Sequence, residues 1–576
     1  MSRSAQHIIH SLAAVLAALL VAACSADRCE WAEPESEEGA TYLSLRVFVS
    51  GNGDAATRAD EVTDEAPEGR LPGNAYENAI NNFTIFFAKY DGNAIPENGV
   101  AEEEKIKFED ENKLYIDLKN TQHRVYYNED GSRTVLIRLK TTTSLNSGEY
   151  SMVVVANHGD LRGDVHNIDD LRRKSAEYAW SSDIDGIQKT GFVMSSFDDD
   201  KGGVMSKVIG LPDRNGSKDN PYYGECTLMR LASRIDLCCS QSTEDYGKYS
   251  PAAEGKDNSV VYDVVNESDG NVAGKVYLLG AEQVNSMSKA SYLLRHSYPA
   301  AAIGNLKPAD FPLNLECGGL MKTGNGNEEM NYIIDPNFPT KVKNQDETIF
   351  DGWFGESRPD KIRKNYESYF KGNALVEKFI KYDISPETYN NKTFDRSMTV
   401  CYVNENTYNK ELAAKDFATG LCFKAVFVPE PIYKEAPGDN ETDESLAAKQ
   451  NKDYAYGGDF WHFDPADGGD DVYFSNEDAA RAYRVGHNGV LTHHPGGVSY
   501  YHIWIRHSKV KAEDEGHTMY YGIVRNNIYR VLLTFKGPGF NRPFESEKPT
   551  DVEWKIYTRD WNQREWNMVE VPDVQL

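Results

Sequence analysis

Cys24 is the residue whose type and surroundings most directly suggest a chemical modification. It follows Val21-Ala22-Ala23, small residues of the kind that precede the modified cysteine of a bacterial lipobox, where the thiol is acylated and the cysteine becomes the new N-terminus. Upstream, a short basic region leads into an apolar run at residues 12–23, which is too short to span a bilayer but suits the core of a signal peptide. An ordinary secretory signal with a chance cysteine is the alternative. We predict a signal peptide at residues 1–23 and acyl chains such as palmitate on Cys24.

Two clusters of polar residues have the composition of metal sites but not their spacing. His493, His494, His502 and His507 are close in the sequence, but the last two lie in an alternating stretch, where a strand would place them on opposite faces. The acidic stretch at residues 464–471 resembles a loose calcium loop. It lacks the EF-hand spacing and the terminal Glu, so a solvated acidic turn is the better interpretation. We therefore predict no metal site.

The motifs of common enzyme classes are absent from the sequence. No GxSxG, HExxH or P-loop motif is found, and no GxGxxG motif lies between a strand and a helix. The possibility that two carboxylates catalyse glycoside hydrolysis stays open, because a sequence does not show how far apart two carboxylates lie in space. The net charge of −28 argues against a nucleic-acid partner, which would need basic patches. We predict that the protein is not an enzyme and binds no cofactor.

Apolar residues recur with a period of two along much of the chain. β-Branched and aromatic stretches are separated by Gly, Asn, Asp and Pro, which is typical of antiparallel β-sandwiches. Strands are predicted at residues 43–49, 83–87, 150–156, 421–428, 528–535 and 552–556. The two helical candidates are residues 373–381 and 476–483. The fold is therefore predicted to be mainly β.

The length of 576 residues allows more than one domain. Residues 212–221 are polar or turn-forming, and we predict that they link two sandwich domains. The acidic segment at residues 435–452 is predicted to be a surface loop of the second domain. The sequence leaves open the disulfide pairing of six cysteines in the predicted folded part, which are Cys226, Cys238, Cys239, Cys317, Cys401 and Cys422.

Three features together suggest that the first strand can be removed. The amphipathic strand at residues 42–49 is followed by a small, polar loop at residues 51–60 with a single arginine, which suits protease access. Cutting the Arg58–Ala59 bond would release the strand and leave an unpaired sheet edge. An apolar C-terminal strand of another molecule could fill that edge by β-augmentation. In the ordinary interpretation, each of these features is only a strand or a loop residue.

Four side chains of the first strand, Leu43, Leu45, Val47 and Val49, are predicted to face the core. Each would contribute roughly 1.5–3 kcal/mol on burial, or ~6–12 kcal/mol together before ordering costs. Head-to-tail exchange of this kind does not close on itself, so it would generate a fibre. The predicted donor residues are Val552, Trp554, Ile556, Trp566, Met568, Val569 and Val571.

One stretch of the C-terminal region carries a resemblance to a known family. Residues 500–505, Tyr-Tyr-His-Ile-Trp-Ile, are followed by Arg525-Asn526-Asn527 and then Tyr529. This pattern resembles the C-terminal signature of Mfa-type fimbrillins, which are related to FimA fimbrillins and are subunits of type V pili of Bacteroides-like bacteria. Here two residues separate Tyr501 from Trp504, where the family signature has one.

The resemblance implies a fold and an assembly route. The fold would be two transthyretin-like antiparallel β-sandwich domains in tandem. The chain would be exported as an outer-membrane lipoprotein and cut by an arginine-specific protease after Arg58, with Arg70 as the nearest alternative cleavage site. It would then be joined to its neighbours in a cell-surface fimbrium by donor-strand exchange. The predicted parts are a lipidated propeptide with the removable strand (24–58), an N-terminal domain (59–215), a C-terminal domain (222–546) and a donor-strand tail (547–576).

The predicted partners are other fimbrial subunits, the protease and a host or bacterial surface ligand. The alternative function is a tip adhesin or glycan-binding surface lipoprotein that stays non-polymeric and uses exposed aromatic residues such as Trp461 and Trp504. The resemblance leaves stalk, tip and anchor roles open.

Overall fold

A computed structural model gives the structure of the chain. It describes residues 41–49, 77, 79–89, 107–119, 124–127, 133–139, 149–167, 170–171, 174–177, 191–197, 206–210, 216–239, 249–250, 260–265, 270, 272–284, 290–294, 297–299, 317–322, 329–333, 380–382, 387–389, 392–394, 396–404, 419–438, 440–505, 523, 525–542, 552–560 and 567–569. Among these residues, no helix has both the length and the apolar character needed to cross a membrane.

The N-terminal part of the chain forms a nine-stranded sheet with the order β3-β2-β6-β8-β10-β1-β5-β4, and β9 pairs with β6. The first ten strands, of which β7 lies outside this sheet, are Thr41–Val49 (β1), Asn82–Lys89 (β2), Lys113–Asp117 (β3), Arg124–Tyr127 (β4), Arg133–Leu139 (β5), Glu149–Ala156 (β6), Ser175–Glu177 (β7), Met194–Phe197 (β8), Ser206–Gly210 (β9) and Tyr222–Arg230 (β10). A 3-10 turn at Asp110–Asn112 precedes β3.

Both faces of this sheet carry apolar side chains, as the alternation of apolar residues predicts. One face contains Leu45, Ile85 and Val154, and it forms the larger core of the N-terminal part. On the other face, Phe86 and Val153 pack against a smaller cluster that includes Leu161 and Leu171. Successive side chains of β2 and of β6 therefore point alternately into two buried environments.

The chain passes from the first sheet to the second at a single residue, Leu231. The strand before it, β10, pairs with β1 and β8 of the first sheet, and the strand after it, β11, joins the second sheet. The sheets therefore meet at Leu231 and not at residues 212–221, where the sequence predicts the linker. That polar segment lies between β9 and β10 of the same sheet. The sequence prediction was wrong because turn-forming residues indicate a connection but not which strands it joins.

The next twelve strands include the first members of two further large sheets. They are Ala232–Cys239 (β11), Tyr249–Ser250 (β12), Val260–Val265 (β13), Val272–Val284 (β14), Ala290–Tyr292 (β15), Ser297–Pro299 (β16), Cys317–Lys322 (β17), Glu329–Ile333 (β18), Ile380–Tyr382 (β19), Glu387–Tyr389 (β20), Lys392–Phe394 (β21) and Arg396–Asn404 (β22). Small sheets are formed by β7 with β15, by β16 to β18, and by β20 with β21.

The remaining elements complete the C-terminal part. They are Gly420–Pro429 (β23), Asp443–Lys449 (α1), Phe460–Pro465 (β24), Val472–Phe474 (β25), Glu477–Gly486 (α2), Gly489–His494 (β26), a 3-10 turn at Pro495–Gly497, Val498–Trp504 (β27), Asn527–Phe535 (β28), Val552–Asp560 (β29) and Asn567–Val569 (β30). One large sheet has the order β19-β22-β11-β28-β29-β30 and the other the order β12-β13-β14-β23-β27. Their facing side chains form one core.

The mainly β fold predicted from the sequence is confirmed, including the six predicted strands and the helix at residues 476–483. Asn476 begins that helix because its side chain accepts a hydrogen bond from Ala479 N–H. Two details differ. Residues 380–382 form strand β19, whereas a helix was predicted through residue 381, and residues 373–379 lie outside the described residues. The predicted loop at residues 435–452 contains α1, whose N-cap is Thr442.

Candidate functional site

Strand β1 lies inside the first sheet with a hydrogen-bonded neighbour on each side. It is antiparallel to β5 and parallel to β10, so Leu45 lies opposite Val135 on one side and Gly224 on the other. The side chains of Leu43, Leu45 and Val47 are 1%, 0% and 1% exposed, and all three belong to the same core. Three of the four predicted core-facing residues of this strand are therefore buried together. The fourth, Val49, ends the strand, and its side chain lies outside the described residues.

The opposite face of β1 carries a polar contact with β10. The Tyr223 hydroxyl donates to Glu225 Oε2 at 2.8 Å. Partial burial and the Glu225 carboxylate raise the pKa of Tyr223, and a hydrogen bond with Arg46 of β1 opposes this rise. Tyr223 and Glu225 both lie on β10, so β1 is held by apolar packing on one face and by the charge-assisted hydrogen bond between Arg46 and Tyr223 on the other.

The residues predicted for processing are outside the described part of the chain. Cys24, Arg58, Ala59 and Arg70 all fall there, so lipidation and cleavage at these positions stay predictions. The description resumes at Glu77, after residues 50–76.

Glu77 is the centre of a buried polar cluster that joins the N-terminal part of the chain to the second sheet. Its two carboxylate oxygens each accept a hydrogen bond from Arg234 Nη1 at 3.0 Å. Oε1 also accepts from the Tyr402 hydroxyl at 2.6 Å. The Glu77 carbonyl accepts from Arg230 Nε at 3.0 Å. Because Arg230 lies on β10 of the first sheet and Arg234 and Tyr402 lie on β11 and β22 of the second, this cluster ties the residue after the 50–76 segment to both sheets.

The charges of this cluster are balanced inside the protein. Arg234 also donates to Asp236 Oδ2 at 2.8 Å. Burial would lower the pKa of Arg234, but Asp236 and Glu77 hold it above its usual value. Burial lowers the pKa of Arg230 to about 10; the nearby Arg234 contributes to this shift, and Glu77 opposes it. Each arginine stays protonated at neutral pH, because both pKa values lie well above 7.

The Arg525-Asn526-Asn527 block lies against the same junction. Asn526 has a φ of 60°, a left-handed conformation that Asn adopts more readily than most residues. Its N–H donates to the Ala232 carbonyl at 2.8 Å, and its side-chain oxygen accepts from Arg230 Nη1 at 3.3 Å. The motif that carries the family resemblance is therefore part of the buried connection between the two sheets.

The predicted donor residues are divided between two strands. Val552, Trp554 and Ile556 lie in β29, which pairs with β28 over nine residues from Val552 to Asp560. Val552 is 3% exposed and belongs to the core of the C-terminal part. Met568 and Val569 lie in β30, which is at the edge of the same sheet and pairs with β29 over three residues. Trp566 and Val571 lie outside the described residues.

The described members of the predicted histidine cluster are His493, His494 and His502. His494 is buried and stacks on Phe460, with ring centroids 4.5 Å apart. Burial lowers the pKa of His494 and of His502 to about 3 in each case. His507 lies outside the described residues. Within the described part of the chain, no group of three or more His, Cys, Asp or Glu residues could hold a metal ion.

The acidic stretch at residues 464–471 is an exposed turn. Asp467 Oδ1 accepts from Gly469 N–H at 3.2 Å, and Asp471 Oδ1 lies 3.1 Å from His462 Nε2. The aromatic residues Trp461 and Trp504, which the sequence suggests are exposed, are each half-buried.

Sequence reasoning missed the cluster around Glu77. Arg230, Arg234 and Tyr402 lie in apolar strands, and Glu77 precedes one. Charged residues within or beside apolar strands could have indicated a buried polar cluster, because charges in such segments are buried only with partners. The partners of Glu77 are more than 150 positions away, so the pattern alone does not identify them.

Comparison with known proteins identifies the class. Residues 492–567 match the family model described as "Major fimbrial subunit protein type IV, Fimbrillin, C-terminal". The C-terminal segment of this protein is therefore of the fimbrillin type, which confirms the resemblance carried by residues 500–505 and 525–527. The family is one of structural subunits, so the match supports a fimbrial or adhesive role at the cell surface, with other fimbrial subunits as partners. No curated protein matches the chain.

Solved structures of similar proteins come from Parabacteroides distasonis and Porphyromonas gingivalis. A candidate cell adhesion protein from Parabacteroides distasonis is 14% identical, with a TM-score of 0.36 and coverage of 91% of this chain and 100% of that one. A fimbrillin from Porphyromonas gingivalis W83 is 13% identical, with a TM-score of 0.32 and coverage of 91% and 98%. The tip fimbrial protein Mfa3 from Porphyromonas gingivalis is 10% identical, with a TM-score of 0.29 and coverage of 91% and 100%.

Proposed function

We propose that this protein is a fimbrial subunit that is exported as a lipoprotein, loses strand β1 by proteolysis and polymerises by donor-strand exchange. The observation that carries the proposal is the position of β1, an N-terminal strand that is also an interior strand of its sheet. The predicted cleavage sites lie between this strand and Glu77. One cut there separates β1 and everything before it from the rest of the chain.

Loss of β1 opens a slot with two hydrogen-bonding walls. Strands β5 and β10 each lose one of their two partner strands, and the core positions of Leu43, Leu45 and Val47 become empty. Each of these side chains contributes roughly 1.5–3 kcal/mol on burial. An incoming strand recovers this energy only if its apolar residues stand at alternate positions and face the core as those of β1 do.

Glu77 keeps the remaining chain in place when β1 leaves. Its carboxylate is bound by Arg234 and Tyr402 and its carbonyl by Arg230. The new N-terminal segment is therefore anchored at the sheet junction after a cut at either Arg58 or Arg70.

The donor strand comes from the C-terminus of a neighbouring subunit. Residues 566–571, with Trp566, Met568, Val569 and Val571, are the better donor, because β30 is an edge strand held by three residue pairs. Withdrawing Val552, Trp554 and Ile556 would break nine residue pairs with β28 and uncover the buried Val552. Donation by β29 therefore costs more than donation by the last residues of the chain.

The test is brief digestion of the full precursor with an arginine-specific protease. We expect a new N-terminus at Ala59 and an SDS-resistant ladder, both abolished in Arg58→Lys. The matched control, Arg70→Lys, leaves both unchanged if Arg58 is the cleavage site. A clean cut that produces no oligomer would contradict the proposal.

Cys226 supplies a direct probe of the slot. It lies opposite Val47 and is 3% exposed in the intact chain. Alkylation followed by peptide mapping should label Cys226 weakly in the precursor, strongly after cleavage in dilute protein, and weakly again in the polymer. Equal labelling in all three states would mean that β1 does not leave.

A second candidate function is a tip adhesin or glycan-binding lipoprotein that stays non-polymeric. An open pocket beside Trp461 favours it. Protein recovered from cells with Cys24 as its N-terminus, together with the absence of a ladder, would support this function over polymerisation.

A further inference from the structure

Residues 430–497 form a small structural unit inserted between two strands that pair with each other. Strands β23 and β27 are antiparallel neighbours, with Leu421 opposite Ile503. Such neighbours can be joined by roughly two to five residues. The insertion instead contains α1, α2 and the sheet β25-β24-β26, with Phe463 and Phe474 in a separate small core. Long excursions of this kind commonly carry binding sites on a rigid scaffold.

An open pocket of about 520 Å³ lies on the surface of this insertion, within the roughly 300–1,000 Å³ typical of small-molecule sites. Tyr454, Tyr456 and Trp461 line it. The Trp461 ring stacks on the His493 ring, with centroids 4.4 Å apart and an interplanar angle of 12°. The Tyr454 hydroxyl donates to the Gly458 carbonyl at 2.7 Å. At least two of the three rings are therefore held in place before any ligand binds.

Three carboxylates line the same pocket, those of Asp453, Asp459 and Glu477. Asp459 is oriented by the Gly496 N–H, which donates to Oδ1 at 2.7 Å, and by His493 Nε2, which lies 3.1 Å from Oδ2. These contacts lower the pKa of Asp459, so it is ionised at neutral pH. The residues that line the pocket include no Lys or Arg. The polar part of the wall is therefore rich in strong hydrogen-bond acceptors and repels anions.

We propose that this pocket binds a neutral saccharide. The C–H face of a sugar ring packs on an aromatic ring, whose face is electronegative. Adjacent sugar hydroxyls are donors that carboxylate oxygens bind strongly. Glu477 is paired with Arg481, whose Nε donates to Glu477 Oε1 at 2.8 Å, so Asp453 and Asp459 are the carboxylates that disfavour acidic sugars. This site lies outside the slot left by β1, so it does not depend on strand exchange.

An organic cation is the main rival ligand, because carboxylates and ring faces attract it too. A cation cage needs several ring faces directed at one charge. Here one face of Trp461 is covered by His493, and Tyr456 meets Tyr277 edge to face, with centroids 5.0 Å apart and an interplanar angle of 80°. An ammonium group would also fill little of the pocket. The geometry therefore favours the larger, uncharged ligand.

The experiment uses the full precursor on an array of neutral and acidic glycans, with titration calorimetry on the best neutral trisaccharide found. Choline and spermidine are the cationic probes. Asp453→Asn removes a carboxylate for which no partner is described, while the Asp453 N–H bond to Asn451 is kept. We expect about tenfold weaker binding for this variant and a larger loss for Trp461→Ala. Asp478→Asn, an exposed carboxylate on α2 outside the pocket, is the matched control and should bind as the wild type does.

Three results would overturn this inference. They are no binding to any neutral glycan, binding to choline or spermidine without saccharide binding, and saccharide binding that Asp453→Asn and Trp461→Ala leave unchanged. Because Trp461→Ala removes the stack on His493, its far-ultraviolet circular dichroism is compared with that of the wild type. If the fold of Trp461→Ala is altered, the binding measured with Asp453→Asn decides the outcome. The arginine-protease ladder should be the same in all these variants, so failure of saccharide binding and failure of polymerisation are distinguishable.

Discussion

Glu77 and Arg234 form an ion pair that is fully buried between the two parts of the chain. Their side chains are 0% and 1% exposed, and Arg234 Nη1 lies 3.0 Å from both carboxylate oxygens. A buried pair of this kind need not add net stability, but removing one partner leaves the other charge uncompensated. The pair therefore makes the position of Glu77 specific, because the chain gains these bonds only when Glu77 occupies this site.

Replacing Glu77 by Gln should destabilise the protein by about 3–5 kcal/mol, because Arg234 loses its main partner across the junction. Chemical unfolding of the full chain measures the change in the free energy of unfolding. Glu109→Gln is the control, since Glu109 is exposed and surface changes usually stay within about 0.5 kcal/mol. Equal stability of the two variants would mean that the Glu77 cluster does not connect the sheets.

Replacing Leu45 by Ala should destabilise the precursor by about 2–5 kcal/mol, because the side chain is 0% exposed in the core. The polymer should be unaffected, since β1 is absent from it in the proposed mechanism. Thermal unfolding of precursor and polymer, each compared with wild type, checks both statements. Ser44→Ala, at the neighbouring half-buried position, should change the precursor little. A polymer weakened as much as the precursor would show that β1 is retained.

Ending the chain after Asp560 should abolish the ladder and leave the monomer folded. This truncation removes β30 and the preferred donor residues but keeps β29 paired with β28. The truncated subunit still accepts a strand, so adding it to intact subunits should shorten the ladder in proportion to its amount. Gel analysis after protease treatment measures this. A full ladder from the truncated subunit alone would make β29 the donor.

Stability should fall between pH 6.5 and about pH 3 because of His494 and His502. Burial lowers both folded-state pKa values from 6.5 to about 3, so the unfolded chain binds more protons in this range and is favoured as the pH falls. Each histidine should cost about 2 kcal/mol by pH 5. Chemical unfolding from pH 7 to 5 measures how the free energy of unfolding changes with pH. This range lies above the pH at which exposed carboxylates titrate. His494→Gln should reduce the slope, and His487→Gln, at a half-buried position, serves as the control. An unchanged slope in His494→Gln would contradict the assignment.

The sequence by itself determined six of the strands and which side chains of β1 face the core. Alternation of apolar residues is a local property, so Leu43, Leu45 and Val47 could be assigned without knowing their neighbours. The helix at Glu477–Gly486 and the fimbrillin resemblance of residues 525–527 were also readable, because a capping residue and a short motif are contiguous in the chain.

Only the tertiary structure decided which strands lie beside β1 and where the sheets meet. A period of two tells which face is buried but not which strand supplies the next row of hydrogen bonds. The parallel pairing of β1 with β10 joins Leu43 to Tyr222, and the partners of Glu77 include Tyr402. These contacts depend on how the whole chain crosses between sheets at Leu231, and that crossing is set by the packing of all the strands together.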